Sequence, residues 1–478
     1  MLFNIIRNDW RNLRADRSLW IIGALLAVLI GYGVHNGGAW VRFQQDTLTQ
    51  AAEEEAGRLT LIKTSIESAN AGRANPPSWR DPRNPFAVGN TQAAHYVSMP
   101  PAPLAALAVG QSDLLPYYFK LSLKSRDTLL GNDEIENPVH LLSGRFDLAF
   151  VIIYLFPLLV LALSYNLISS EKEDGTLAMT LSQPVRLGTL AWGKAGFRAL
   201  FILALSTLIS LAGTLASGVN LSAAGASPRF LLWVAVVAAY GAFWFAAAVA
   251  VNALGRSSAT NAIALAGLWL GFVLLIPALL NVTVKALHPV PSRVELIQAM
   301  RVASDDITRQ RSQLMAKYLE DHPEFAAATD DSMAQYAIRT AAILDELDRR
   351  VQPVLATFDE QLTLQQAMVD RYRFLSPAIL VQSALYDLAG TNLYRYRHFL
   401  HLTEQFHAAW RTHFEPLIAR NVRLTPAHIN SLPRFHFQEE PFQAVFTRTT
   451  AALAGLGLSA LLAAALSAWW LRRYPVAA

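Results

Sequence analysis

Four histidines, His398, His401, His407 and His413, crowd one helical stretch and invite a metal ion. On a helix turning about 100° per residue, His401 sits about 60° from His398, whereas His407 falls about 180° away. His413 returns near the first pair in angle, but at about 1.5 Å per residue it lies roughly 18–22 Å further along the axis. A tight site takes roughly three to four ligands. One helix cannot converge them, and His398 with His401 is the one pair left on a shared face. Nucleotide chemistry is invited by Gly188-Thr189-Leu190-Ala191-Trp192-Gly193-Lys194-Ala195, which nearly spells the phosphate loop G-x-x-x-x-G-K-[ST]. Ala195 lacks the hydroxyl that would hold magnesium, and the stretch follows an amphipathic segment instead of a buried strand. No H-E-x-x-H and no G-x-S-x-G occurs. The chain has no cysteine, which excludes a disulfide framework, a thiol nucleophile and a thiolate metal site. Neither a catalytic constellation nor a cofactor site of the chain's own is expected.

The remaining chemistry is charge against apolarity. Glu171-Lys172-Glu173-Asp174-Gly175-Thr176-Leu177 follows directly on an uncharged apolar run. Ionised side chains are expensive in lipid, so this cluster belongs in water, and a charged then amphipathic segment between two spans presents a handle to something soluble. The composition agrees. The chain is 53% hydrophobic and only 16% charged, where soluble domains average about 25% charged. Roughly twenty apolar residues cross ~30 Å of hydrocarbon as a helix. Six uncharged windows meet that length, at 19–39, 148–168, 199–217, 230–254, 259–282 and 450–471.

Lys and Arg flanking the spans mark the cytoplasmic side. Arg7, Arg11, Arg14 and Arg17 precede the first span, and Lys172, Arg186, Lys194 and Arg198 lie between the second and third. Arg256 lies between the fourth and fifth, and Arg472 and Arg473 follow the sixth. Six crossings put all of these on one face. The expected layout is a cytoplasmic amphipathic interface helix at 1–18, a cytoplasmic segment at 169–198 and extracytoplasmic domains at 40–147 and 285–443. Both termini are then cytoplasmic, in the inner membrane of a bacterium, with the first span retained instead of being cleaved as a signal. The net charge of +4 is accounted for by the cytoplasmic arginines, so nucleic acid is not an expected partner.

Both outer regions read as mainly helical. Leu48, Ala52, Leu59, Ile62 and Ile66 make one apolar face, followed by a proline-rich loop from Pro76 to Pro103. Stripes recur at Ile297, Met300, Ile307 and Leu314, then at Leu347, Val351, Val354, Phe358 and Leu362, with Pro353 as an expected kink. A third is Phe399, Leu402, Phe406 and Trp410. Packing between antiparallel helices explains all three, and a groove for an apolar ligand would give the same pattern. Gly267-Leu268-Trp269-Leu270-Gly271 lets helices approach closely, inside one bundle or at a dimer seam. The fold class is therefore an all-α membrane protein, a six-transmembrane-helix bundle with two mainly helical extracytoplasmic domains. Its spans carry no Asp, Glu, Lys or Arg, where ion-driven carriers need such groups; energy for transport would have to come from outside the membrane.

Six spans with both ends inside, the basic N-terminal segment, and the run Ser169-Ser170-Glu171-Lys172-Glu173-Asp174-Gly175-Thr176-Leu177 with Gln183-Pro184-Val185 and Gly193-Lys194 together resemble the permease subunit of ABC-2-type ABC transporters. The resemblance implies that Glu171, Lys172, Glu173, Gly175 and Thr176 lead into a coupling helix docking on a separate cytoplasmic ABC ATPase dimer. Pro184 and Lys194 match more loosely. ATP and magnesium would be bound by that partner, and a second permease chain, identical or paralogous, would complete the pathway. The large outer insertions depart from ordinary members. They look like the subfamily related to multicopper-enzyme-maturation permeases, with Arg145-Phe146-Asp147-Leu148-Ala149-Phe150 and His288-Pro289-Val290-Pro291-Ser292-Arg293 resembling its junction sequences. Three functions follow as expectations. They are export or outer-leaflet extraction of a substrate, mechanotransmission to a periplasmic partner with nothing crossing, and, weakest, a membrane-anchored enzyme.

Overall fold

The computed structural model describes residues 6–7, 9–11, 17–77, 80–123, 145–219, 221–222, 225–290, 293–310, 313, 316–317, 320 and 332–474. Most of the expected interface helix at 1–18, with Arg14, lies outside them, as do Leu314, Pro291 and Ser292.

The described chain is mostly helical, and six helices are long and apolar enough to cross a bilayer: α1 (Ser18–Asn70), α2 (Leu148–Glu173), α3 (Leu187–Ala216), α4 (Ala226–Asn252), α5 (Ser258–Leu287) and α10 (Phe442–Leu471). Of their apolar windows, 67% is buried in α2 and 72% in α4, against 11% in α5 and 22% in α3 and α10. α2 and α4 are thus the centre of the bundle and the others its rim. Between α5 and α10 lie α6 (Arg293–Arg309), α7 (Ser332–Tyr372), α8 (Pro377–Ala389) and α9 (Leu393–Ala419).

α2 and α5 share one irregularity with one cause. Each carries a π-turn, Val151–Leu155 in α2 and Leu270–Leu275 in α5, just before a proline, Pro157 and Pro277. Proline has no N–H to give the carbonyl four residues back and clashes with it, so the preceding turn widens. The carbonyl that Pro157 leaves free, that of Ile153, accepts from the Tyr240 hydroxyl at 3.0 Å. Next to it, Trp269 Nε1 donates to Tyr154 O at 3.1 Å, which ties α5 to α2.

α1 does not stop where its apolar part ends. No proline interrupts it, and it runs unbroken to Asn70, with Gly72 in the left-handed region just beyond. Its small residues, not those of α5, make the close contacts. A Cβ on Gly33 would lie 2.8 Å from the carbonyl carbon of Asp147, and one on Gly37 would lie 2.1 Å from Ala106 O. The same test at Gly267 and Gly271 meets nothing within 4 Å, so that pair is not used for packing within the chain.

Two further placements differ from the layout drawn on charge. The 13-residue α8 belongs to the same core as the spans, with Leu380, Val381, Ala384, Leu385 and Leu388 buried among them. It is too short to cross a bilayer and has no length signal in the sequence. α9 joins the region 40–121 instead of forming a separate unit with α6 and α7. Trp40, Ile62 and Ile66 of α1, Phe119 of the two-stranded ladder β1 (His95–Ser98) with β2 (Tyr118–Leu121), and Phe399, Trp410 and Phe414 of α9 form one core. The aromatic stripe of α9 therefore packs on α1 and this ladder. α6 and α7 do pack on each other, through Ala303, Val351, Leu347 and Val354. α7 passes Pro353 as a single helix. Arg411 of α9 reaches Asp345 of α7 at 3.2 Å, and although burial raises the Asp345 carboxyl, hydrogen bonds from Arg349 and Arg411 hold it below its ordinary range.

Candidate functional site

A cluster of buried charge sits at the end of the bundle holding residues 169–186. α3 begins at Leu187, well before its uncharged part, so Lys194 and Arg198 lie inside the helix, one turn apart, and only 7% of each is exposed. Such burial needs partners for every donor. They come from two sources. α2 loosens at residues 165–168, leaving carbonyls of its last regular turns free, and cations suit a helix C-terminus for that reason. Lys194 Nζ donates to Leu167 O at 3.1 Å, and Arg198 Nη1 donates to Leu163 O. The second source is carboxylate. Lys194 Nζ also meets Glu171 Oε1 at 2.8 Å, and Arg198 grips Asp9 with both Nε (3.0 Å) and Nη2 (2.8 Å). Two cations on α3 thus bolt together α2, the 169–173 turn and the segment containing Asp9.

The neighbouring residues close the joint on its other side. Glu173 Oε1 accepts from Ser258 N at 2.6 Å and Oε2 from Ser258 Oγ at 2.8 Å, so it caps the first turn of α5. Lys172 Nζ donates to Gly255 O at 3.2 Å and lies 5.9 Å from the Tyr474 ring centre. Asn252 accepts from Ile168 N at 3.2 Å and donates to Ser164 O at 2.9 Å. Gly175 takes φ 72°, the left-handed region that favours glycine, and turns the chain into the short helix Leu177–Leu181. From there the chain is open. Asp174, Gly175 and Thr176 are exposed, Met179 is 75% exposed, and Gln183 and Pro184 are exposed too.

Glu171, Lys172 and Glu173 make side-chain bonds inside the chain, whereas Gly175 and Thr176 lie on the exposed turn. Sequence reasoning missed Asp9, Arg198, Asn252 and Ser258 as parts of one unit. The available signal was an i, i+4 pair of cations entering an apolar helix. The segment after the charged cluster, expected to be amphipathic, is a short helix, Leu177–Leu181, with Leu177 buried and Met179 exposed, followed by the start of α3.

Beneath the segment lies a cavity of about 440 Å³, lined by Asn166, Glu171, Asp174, Thr180, Lys194 and Arg198 among others. His398 and His401 lie elsewhere and do not act together: His398 Nε2 is 2.9 Å from Gln438 O, and His401 Nε2 is 2.9 Å from Gln405 Nε2. Among the described residues no group of three or more His, Cys, Asp or Glu is arranged to hold a metal ion.

A family model described as a domain of unknown function (DUF3526) matches residues 293–438, the stretch from α6 through α9 to the linker before α10. No curated protein and no solved structure matches the chain.

Proposed function

We propose that this chain is the permease subunit of an ATP-driven ABC transporter of the ABC-2 type. In this reading residues 169–186 face the cytoplasm and a separate ATPase dimer docks on the exposed turn at 174–184. A second permease chain completes the pathway, with export or outer-leaflet extraction as the task. The observation that carries the reading is the joining of residues 169–173, the end of α2, to α3 through Lys194 and to the start of α5 and the loop before it through Glu173 and Lys172. A push on an exposed handle does work on a bundle only if the handle is stiffly joined to it, and charge-assisted hydrogen bonds such as these give such stiffness. The unused Gly267 and Gly271 on the least buried span suit a seam with the second chain.

A second reading, mechanotransmission to a periplasmic partner without substrate crossing, is favoured by a different observation. α1 continues as one rod from the bundle into the core built around Trp40 and Phe399. Glu439 holds Arg395 at the base of α9 (2.6 Å), while the adjacent Glu440 holds Arg448 of α10 (2.6 Å), so the same linker grips both bodies.

Co-expression with a candidate cytoplasmic ABC ATPase subunit tests the reading. The two are expected to purify as one complex whose ATP hydrolysis depends on this chain. A chain that purifies alone, with the ATPase turning over unchanged whether or not it is present, contradicts it. Stimulation by a small substrate favours export, and stimulation by a periplasmic protein favours the second reading.

A further inference from the structure

We propose that His95 is a proton-operated catch on the strap of residues 432–441, holding it while the imidazole is neutral and releasing it when the ring is protonated. The catch is independent of any ATPase partner. The strap runs without helix or strand to Pro441, just before α10. Its rings Phe435 and Phe437 lie against the core around Trp40 and Phe399. Phe435 is 5.6 Å from Phe406 and 6.2 Å from Phe399 between ring centres. Two histidines grip the strap in opposite senses. His95 Nε2 lies 3.0 Å from Phe435 N, and a backbone N–H can only donate, so that nitrogen carries no proton. The one proton of the neutral ring is then on Nδ1, which donates to Glu55 Oε1 at 2.5 Å. His398 Nε2 lies 2.9 Å from Gln438 O, and a carbonyl can only accept, so that nitrogen does carry a proton.

Imidazolium carries a proton on both nitrogens. Adding one to His95 sets N–H against N–H at Phe435, and turning the ring over brings no acceptor, so the strap must move away there. His398 already donates and keeps its bond in either state. Acid therefore frees the strap at Phe435 and not at Gln438. The positive ring keeps a partner in Glu55 of α1, whose Oε2 is held by Tyr96 N at 2.8 Å. Arg58, one turn on, is engaged with Glu54 Oε1 at 2.8 Å and Ala94 O at 2.6 Å, and Lys120 of β2 reaches the same Glu54 at 3.8 Å. From α9 the rings of Phe406 and Trp410 cover His95, at 5.0 and 6.2 Å between ring centres. In the strap, Arg434 and His436 flank Phe435 at exposed positions. Histidine is the side chain whose charge ordinarily changes between about pH 5 and 8. Because Glu439 and Glu440 of the strap hold Arg395 and Arg448, loosening it alters the joint between that core and α10.

Hydrogen–deuterium exchange of the solubilised full chain reads the catch at the Phe435 amide, with exposure times scaled for the intrinsic pH dependence of exchange. From about pH 8 to about pH 5.5 its protection is expected to fall ~10-fold or more, while amides of the β1–β2 ladder keep theirs. His95→Gln has no titrating ring, and its Phe435 protection should change by less than about twofold over the same range. His436→Gln alters only the exposed neighbour and should keep the wild-type fall. Glu55→Gln keeps an acceptor for His95 Nδ1 and Tyr96 N but removes the charge facing the imidazolium. It should move the fall to lower pH, and it supplies a second reading where His95→Gln does not fold. A flat profile in wild type, an undiminished fall in His95→Gln or an unmoved one in Glu55→Gln overturns the catch. So does loss of the fall in His436→Gln, or a parallel loss of protection in the ladder.

Discussion

Arg198→Met is expected to destabilise the chain by about 3–5 kcal/mol, because it strands a buried carboxylate on Asp9 and the free carbonyl of Leu163. Both partners of the pair are nearly enclosed, with side chains 8% and 3% exposed, so the orphan charge would be poorly solvated. The penalty comes from leaving one member unpaired more than from the worth of the pair itself, and that distinction is measurable. Asp9→Asn combined with Arg198→Met removes the stranded charge and is expected to recover a large part of the loss, a coupling on the order of 1–3 kcal/mol. Thermal unfolding of the detergent-solubilised single and double variants supplies the numbers. If the double variant loses the plain sum of the singles, Asp9 and Arg198 are independent and the bolt is not one unit.

The second large effect lies at the other end of α2. Asp147 accepts from Phe150 N (2.7 Å), capping the first turn of that helix, and from Val109 N (2.7 Å) of the loop that lies against Gly37. Removing it strands two buried N–H groups, and Asp147→Ala is expected to cost about 2–4 kcal/mol. Asp147→Asn keeps an acceptor oxygen and is expected to be neutral or stabilising at pH 7. Burial pushes the Asp147 carboxyl up to about 6, against the lowering effect of its backbone N–H donors. A folded-state value above the ordinary carboxylate range means the folded chain binds the proton more tightly than the unfolded one. This group therefore opposes folding above pH ~6, and the penalty disappears as pH falls below ~4. Melting of wild type should include a component that rises on acidification from pH 7 to 5, and Asp147→Asn should lack it. An unchanged pH profile in the Asn variant would place the proton elsewhere.

Much of the bundle was legible because apolarity over twenty residues has few other readings. The six windows survive as helices, though charge alone drew α3 and α1 too short. Lys194 and Arg198 look like flanking cations when hydropathy is scanned. Only the free carbonyls of α2 and the distant Asp9 explain how α3 can bury them. Glu171 and Glu173 read in the sequence as a charged cluster in water, and sequence cannot show that Lys194 and Ser258 bond to them. A Glu171→Lys, Glu173→Lys change would consequently break the chain's own joints as well as any contact beyond it. The small-residue pair that stood out, Gly267 and Gly271, is idle within the chain, while Gly33 and Gly37 make the close approaches. Both pairs have the same spacing, and only the neighbouring backbone separates them. α8 and the joining of α9 to the 40–121 region were illegible for a related reason. A short buried helix and an aromatic stripe each reveal an apolar face without naming what covers it.

The whole account requires the exposed turn at 174–184 and the core around Trp40 and Phe399 to lie on opposite sides of the membrane, with the turn on the ATP side. The absence of native cysteine makes this directly measurable. Single cysteines at the exposed positions Gln183 and Arg420 would be reacted with a membrane-impermeant maleimide before and after permeabilisation of whole cells. The predicted result is labelling of Arg420→Cys in spheroplasts with the inner membrane sealed, and of Gln183→Cys only once that membrane is opened. Labelling of Gln183→Cys in sealed spheroplasts, with Arg420→Cys protected, contradicts the account.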